Sequence, residues 1–165
     1  MNGNPAKDYL VILISLVIGI VLTLVPVPPW AVWLRPNWML AIIIFWLLTA
    51  SHRVGIGIAW FVGLFMDLLT GTLLGEQAFV FCIIAYFVLK FQHWLTHIPV
   101  LQQTAIIFLL MLFNLIIDRC LLIVFQHSPL NGLFWLPALT TAVIWPWFSG
   151  LLYIYQIKLR VADAE

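Results

Sequence analysis

The sequence contains very few charged residues. Lys, Arg, Asp and Glu make up 8% of its 165 residues, whereas 65% are apolar. A soluble domain typically has about 25% charged residues. Seven basic and six acidic side chains are too few to cover a water-soluble fold of this size. The scarcity of charge therefore predicts an integral membrane protein, with lipid around most of the chain.

Basic patches and reactive-residue motifs are also missing. The formal net charge is +1, which gives no electrostatic footprint for nucleic acid. Cys82 and Cys120 lie in apolar runs without CxxC spacing, so we interpret them as packing residues rather than metal or redox ligands. The four histidines are scattered, and no nucleophile–base pair, phosphate loop or zinc motif occurs. We therefore expect no catalytic residue, no metal and no cofactor.

Long apolar runs determine the expected architecture. They are continuous rather than alternating every second residue, which predicts helices instead of strands. A helix that crosses a bilayer needs roughly 17–25 residues. Six runs reach or approach this length, over 9–25, 36–51, 54–72, 76–95, 102–125 and 132–156. The connections are too short for a soluble domain, so we predict an all-α bundle of six transmembrane helices, forming one domain over residues 1–165.

Basic residues are unevenly shared between the two sides of this predicted bundle. If the N-terminus is inside, the outer loops hold only Arg35. The cytoplasmic segments, including the inner end of the fourth span, hold five: Lys7, Arg53, Lys90, Lys158 and Arg160. Because cytoplasmic loops are enriched in Lys and Arg, both termini are predicted to be cytoplasmic.

Three helical positions have a clear local signal. Pro36 suits the first turn of the second span, where its missing N–H costs nothing. Glu76 follows Gly75 at the start of the fourth span, where a carboxylate favours the positive end of the helix dipole. Pro146 is predicted to kink the sixth span.

The third span carries a polar residue on a row of small ones. Gly55, Ala59, Gly63, Asp67 and Gly71 recur at every fourth position, which places neighbours close together on the helix surface. Small residues let another helix approach closely, so Asp67 is expected to point into the bundle. A charged Asp costs about 2.5–3.5 kcal/mol at the bilayer centre and therefore needs a partner. Either an interhelical hydrogen bond or a contact with a partner or ligand would meet this need.

A second polar group lies in the fifth span. Asn114 and Asp118 are four residues apart and share a face, and Arg119 follows directly. In the predicted orientation these residues lie in the outer half of the bundle, as do Arg35, Asp67 and Glu76. Because their formal charges nearly cancel, we predict an Asp67–Arg119 or an Asp118–Arg35 contact between helices.

Four stretches together resemble the MreD family of rod shape-determining proteins, in its proteobacterial form. They are RPNWMLAIIIFW (35–46), HRVGIG (52–57), GLFMDLLTGTLLG (63–75) and IWPW (144–147). The pattern G-x3-D-x3-G-x3-G is the most specific of them, and the resemblance extends over about 9–155. The positions that match the family pattern are Arg35, Pro36, Asn37, Gly63, Asp67, Gly71 and Gly75. With Asn114, Asp118 and Arg119, they form the candidate set for helix packing and partner contact.

This resemblance implies a non-enzymatic, multi-pass protein of the bacterial inner membrane. Such a protein would maintain rod shape and support lateral peptidoglycan synthesis by holding together MreC, RodA and the elongation transpeptidase, with MreB joined indirectly through MreC. Membrane lipids are its other expected contacts. The family is also similar in span arrangement to the substrate-binding subunits of energy-coupling-factor transporters, although a shared fold does not imply a shared ligand. Two other functions stay open, namely a small-molecule transport subunit and a protein that presents a lipid-linked wall precursor.

Overall fold

The computed structural model of the chain describes residues 5–28, 31, 34–126 and 135–162. The residues described form helices and no strand, as the continuous apolar runs predict. Both ends of the predicted 1–165 domain and the first residues of the predicted sixth span, 132–134, lie outside the described part. Seven helices are described: α1 (Pro5–Leu24), α2 (Trp38–Thr49), α3 (Ile56–Thr70), α4 (Glu76–Lys90), α5 (Gln92–His97), α6 (Val100–Gln126) and α7 (Leu136–Ala162).

The predicted fourth span, 76–95, consists of two helices rather than one. α4 ends at Lys90, and the short α5 begins at Gln92. The side-chain amide of Gln92 donates to the backbone carbonyl of Leu48 at 3.0 Å, and the side chain of Leu95 is buried. α5 therefore packs back onto the end of α2 instead of continuing α4. The other predicted spans correspond to single helices whose described ends differ from the predicted bounds by a few residues.

α2 is the central helix of the bundle. All ten of its residues from Met39 to Leu48 are buried, and it contacts α1, α4, α5 and α7. A helix that is apolar on every side is expected in a core. Its first turn is capped by Asn37, whose Oδ1 accepts a hydrogen bond from the Leu40 N–H at 3.2 Å. The prediction that Pro36 lies in the first helical turn is wrong, because Pro36 precedes this cap.

The distribution of side chains is the reverse of that in a water-soluble domain. Among the residues whose burial the structure describes, four polar or charged side chains are buried: Ser15, Asp67, Asn114 and Thr141. Large apolar side chains cover the outer faces of the helices instead, among them Leu13, Phe61, Leu109 and Trp147. Trp147, for example, is 80% exposed. Apolar surface of this extent is unfavourable in water and matches a lipid environment.

Helix length and composition give one candidate membrane span among the described residues. The stretch Val100–Leu121 of α6 is long and apolar enough to cross a bilayer. The other apolar stretches are shorter: Tyr9–Leu24, Trp38–Thr49, Ile56–Thr70 and Leu136–Leu152. α2, at 12 residues, is only about 18 Å long. The number of spans and the cytoplasmic placement of both termini therefore stay predictions.

Candidate functional site

The carboxylate of Asp67 lies at the end of α3, facing the first turn of α4, and the residue is only 1% exposed. Its Oδ2 accepts from the backbone N–H of Gly75 at 2.9 Å and of Ala78 at 3.4 Å. Its Oδ1 accepts from the backbone N–H of Gln77 at 2.9 Å and from the Thr72 hydroxyl at 3.1 Å. The first N–H groups of a helix have no partner within that helix, and its positive dipole end favours negative charge. Asp67 thus caps α4 from the neighbouring helix.

The three glycines of the G-x3-D-x3-G-x3-G stretch each have a geometric role where α3 and α4 meet. A Cβ on Gly63 would lie 2.5 Å from the Cα of Ala78, so α3 and α4 are in backbone contact there. Gly71 ends α3 with φ 68°, and its N–H donates to the Asp67 carbonyl at 3.0 Å. Gly75 precedes α4 with φ 98°. Positive φ is readily adopted only by glycine, so the turn that presents N–H groups to Asp67 depends on these residues.

The predicted contacts between charged side chains are replaced by other interactions. Asp67 takes its four donors from the segment 72–78, because the start of α4 supplies N–H groups beside it, and not from Arg119. Arg35 donates from Nη2 to the backbone carbonyl of Leu22, at 3.2 Å, near the end of α1, rather than to Asp118. The predictions of an Asp67–Arg119 and an Asp118–Arg35 contact are therefore corrected.

Asp118 belongs to a chain of amide and hydroxyl contacts that joins four helices. Its Oδ1 lies 3.5 Å from the Gln77 side-chain amide on α4 and 3.4 Å from the Asn114 amide on α6. Asn114 accepts from the Asn37 side-chain amide at 3.0 Å, and the backbone N–H of Asn37 donates to the Thr141 hydroxyl on α7 at 3.0 Å. Since the Gln77 N–H also donates to Asp67, these contacts continue into the α3–α4 turn.

We call this set the polar network: Asn37, Asp67, Gln77, Asn114, Asp118 and Thr141. Of the remaining candidates, Arg35 is half-buried beside α1, Arg119 is half-buried on α6, and Pro36 lines a crevice described below. Sequence reasoning missed Gln77 and Thr141, which connect the α3–α4 turn and α7 to the rest. Both are uncharged polar residues inside apolar runs, and this signal could have identified them.

A small crevice lies between α2 and α7, next to one end of the polar network. Its lining residues are Pro36, Trp38, Ala41, Thr141, Ile144, Trp145 and Phe148. Its volume of about 10 Å³ is enough for about one water molecule. Sites for small organic ligands usually measure about 300–1,000 Å³. Among the residues that the structure describes, no group of three or more His, Cys, Asp or Glu could hold a metal ion.

Known proteins are similar to this chain over nearly all of the helices described above. A family model described as rod shape-determining protein MreD matches residues 6–154. The protein named Rod shape-determining protein MreD from Haemophilus influenzae is 32% identical over 165 residues, which covers 98% of this chain and 99% of that protein. No solved structure matches this chain.

Proposed function

Because the chain belongs to the rod shape-determining protein MreD family, we propose that it acts in bacterial cell shape as a non-enzymatic scaffold of the inner membrane. The scaffold holds together MreC, RodA and the elongation transpeptidase within the rod complex, and it reaches MreB through MreC. By keeping these proteins together, it supports peptidoglycan synthesis along the lateral wall.

The observation that best supports a scaffold is the placement of its polar and apolar groups. The described polar network is occupied by hydrogen bonds among its own members, and the outer helix faces present large apolar side chains. An enzyme site needs polar groups that a substrate can reach. Apolar helix faces, by contrast, are the surfaces through which transmembrane helices associate in lipid.

The proposal includes six spans in one domain, with both termini in the cytoplasm. Arg53 and Lys90 lie where α2 and α4 end, whereas Asp67 and Asp118 lie towards the opposite end of the bundle. This distribution agrees with the greater number of basic residues expected on the cytoplasmic side. The similarity in span arrangement to energy-coupling-factor subunits stays a prediction.

The crevice between α2 and α7 gives the transport alternative no support. Its volume of about 10 Å³ is far below that of a site for a vitamin-sized molecule. The third alternative, presentation of a lipid-linked precursor, has no specific observation in its favour.

Depletion of the protein and photocrosslinking test the scaffold proposal together. A photoreactive residue would replace one exposed side chain per helix: Leu13 on α1, Phe61 on α3, Leu109 on α6 or Trp147 on α7. Ile43 and Leu47 on the buried α2 are matched controls. We expect depleted rods to become spheres and at least one exposed site to crosslink to the membrane span of MreC or of the transpeptidase. Unchanged rods, or crosslinks to these proteins from none of the exposed sites, would reject the proposal.

A further inference from the structure

The end of the bundle opposite the polar network contains the short helix α5. Gln92 and Leu95 hold α5 against the rest of the protein, through the hydrogen bond to Leu48 and through burial. The other side chains of α5 are exposed, and Trp94 is 57% exposed. α5 therefore presents an aromatic side chain outward at a corner where α4 stops.

A lysine and two more aromatic rings occupy the same corner. The Lys90 ammonium lies 5.8 Å from the centre of the Tyr86 ring and 6.0 Å from that of the Phe91 ring. Lys90 and both rings are exposed. These distances suit cation–π contacts, which hold the charge of Lys90 beside the rings. Exposed aromatic and basic side chains together are typical of the boundary between hydrocarbon and headgroups.

The connection between α2 and α3 brings a second cation to this end. The Arg53 guanidinium lies 5.6 Å from the centre of the Tyr9 ring on α1. No acidic residue occurs in 50–57 or in 84–104. The connections between α2 and α3 and between α4 and α6 are therefore cationic as well as aromatic.

We propose that the aromatic–cationic corner, formed by Tyr86, Lys90, Phe91 and Trp94 with Arg53 at the same end, binds the phosphate of an anionic phospholipid. Lys90 supplies charge for the phosphate. α6 begins beside α5, where the Gln103 side-chain amide donates to the Leu95 carbonyl at 3.5 Å, and Leu101 in its first turn is 83% exposed. Charged and apolar surface at the same end of the bundle fits a lipid, with its phosphate and acyl chains, better than a water-soluble anion. The inference depends on the membrane location of the bundle and is independent of the proposed scaffold role.

Native mass spectrometry of the purified full-length protein tests this binding. The detergent-solubilised protein is titrated with phosphatidylglycerol and, separately, with phosphatidylcholine. We expect tighter binding of the first phosphatidylglycerol molecule. Lys90→Gln should weaken that binding about fivefold, as expected for one surface cation, and leave phosphatidylcholine binding unchanged. Lys90→Arg keeps the charge and should bind phosphatidylglycerol as the wild type does.

Arg35→Gln is the matched control, because it removes one positive charge at the opposite end of the bundle. Gel filtration and thermal unfolding verify that each variant is folded, and Lys90 is exposed enough for substitution to be tolerated. Equal affinity of the wild type for both lipids would overturn the proposal. So would an equal loss in Lys90→Gln and Arg35→Gln, or displacement of the lipid by an equal concentration of inorganic phosphate.

Discussion

The backbone N–H of Gln77 on α4 donates to the carboxylate of Asp67 on α3 at 2.9 Å, across ten residues of chain. The side chain of the same Gln77 reaches Asp118 on α6, at 3.5 Å. One residue therefore connects the cap of α4 to a second polar side chain in the bundle. In a lipid environment an unsatisfied backbone N–H costs several kcal/mol, so such capping matters more than it does in water.

Removal of the Asp67 carboxylate should destabilise the protein substantially. Asp67→Ala leaves three backbone N–H groups at the start of α4 without this acceptor, and we expect a loss of about 2–3 kcal/mol in the free energy of unfolding. Unfolding in sodium dodecyl sulfate, followed by circular dichroism, measures this loss. Glu76→Ala, which removes a half-exposed carboxylate from the same turn, should cost less than about 1 kcal/mol. Equal losses in the two variants would contradict the capping role.

Exchange of the charges of Asp67 and Arg119 should fail to restore a stable protein. The described donors to Asp67 are three backbone N–H groups and a threonine hydroxyl, and these keep their places when Arg119 becomes acidic. An arginine at position 67 would direct its own donors at those N–H groups. Membrane-inserted protein levels of the double variant should therefore equal those of Asp67→Arg alone. Recovery to wild-type levels would show that the two side chains form a pair.

Addition of a single methyl group at Gly63 should separate α3 from α4. The Cβ of Gly63→Ala would lie 2.5 Å from the backbone Cα of Ala78, which cannot move without displacing the helix. We expect a loss of about 1–3 kcal/mol in the free energy of unfolding. Gly57→Ala on the same helix is the matched control, because no atom lies within 4 Å of its new Cβ. That variant should be neutral or up to about 1 kcal/mol more stable, and a similar loss in both would refute the close contact.

The left-handed conformation of Gly71 should be sensitive to side-chain type. With φ at 68°, Gly71→Ala is expected to cost about 1–2 kcal/mol, whereas Gly71→Asn should cost less because Asn adopts this conformation more readily. Thermal unfolding in detergent compares the two variants. Gly55→Ala, at φ −113° with open space around it, should have little effect. If Gly71→Ala and Gly71→Asn unfold at the wild-type temperature, position 71 does not adopt the left-handed conformation.

The Asn37–Asn114 contact should carry a measurable coupling energy. The two side chains share a 3.0 Å hydrogen bond between the start of α2 and the middle of α6. A double-mutant cycle with Asn37→Ala and Asn114→Ala should give a coupling of about 0.6 kcal/mol, the average for polar pairs between membrane helices, and no more than about 1.7 kcal/mol. Ser15 bonds to Trp46 elsewhere, so a cycle of Ser15→Ala with Asn114→Ala should show no coupling. Equal couplings in both cycles would mean that the coupling does not come from the Asn37–Asn114 hydrogen bond.

Local sequence signals identified the α3–α4 turn but not the partners of its carboxylate. The four-residue spacing correctly placed Gly63 and Asp67 on the face of α3 that meets α4. Gly55 and Gly71 flank α3 instead, with open space where a Cβ would lie, so the predicted row of close packing does not extend to them. The partner of Asp67 could not be predicted in the same way. Its donors belong to the backbone, and every residue has an N–H group whose availability depends on where a helix begins.

The division of the fourth span has a similar explanation. Residues 76–95 are apolar enough to read as one helix, and the chain turns at Phe91 because Gln92 and Leu95 find partners in α2 and the core. The Gln92–Leu48 hydrogen bond bridges 44 residues of sequence, and no local pattern contains it.

Composition and the continuity of apolar runs predicted a helical protein surrounded by lipid, because both depend on neighbouring residues only. The family was predicted from the resemblance of four short stretches, above all G-x3-D-x3-G-x3-G (63–75). How the polar side chains are satisfied follows only from the folded bundle. Gln77 and Thr141 entered the polar network, and Arg35 was directed to α1 instead of Asp118. In an apolar surrounding a buried polar group must find a partner wherever the packing of helices places one, and that placement exists only once the bundle has formed.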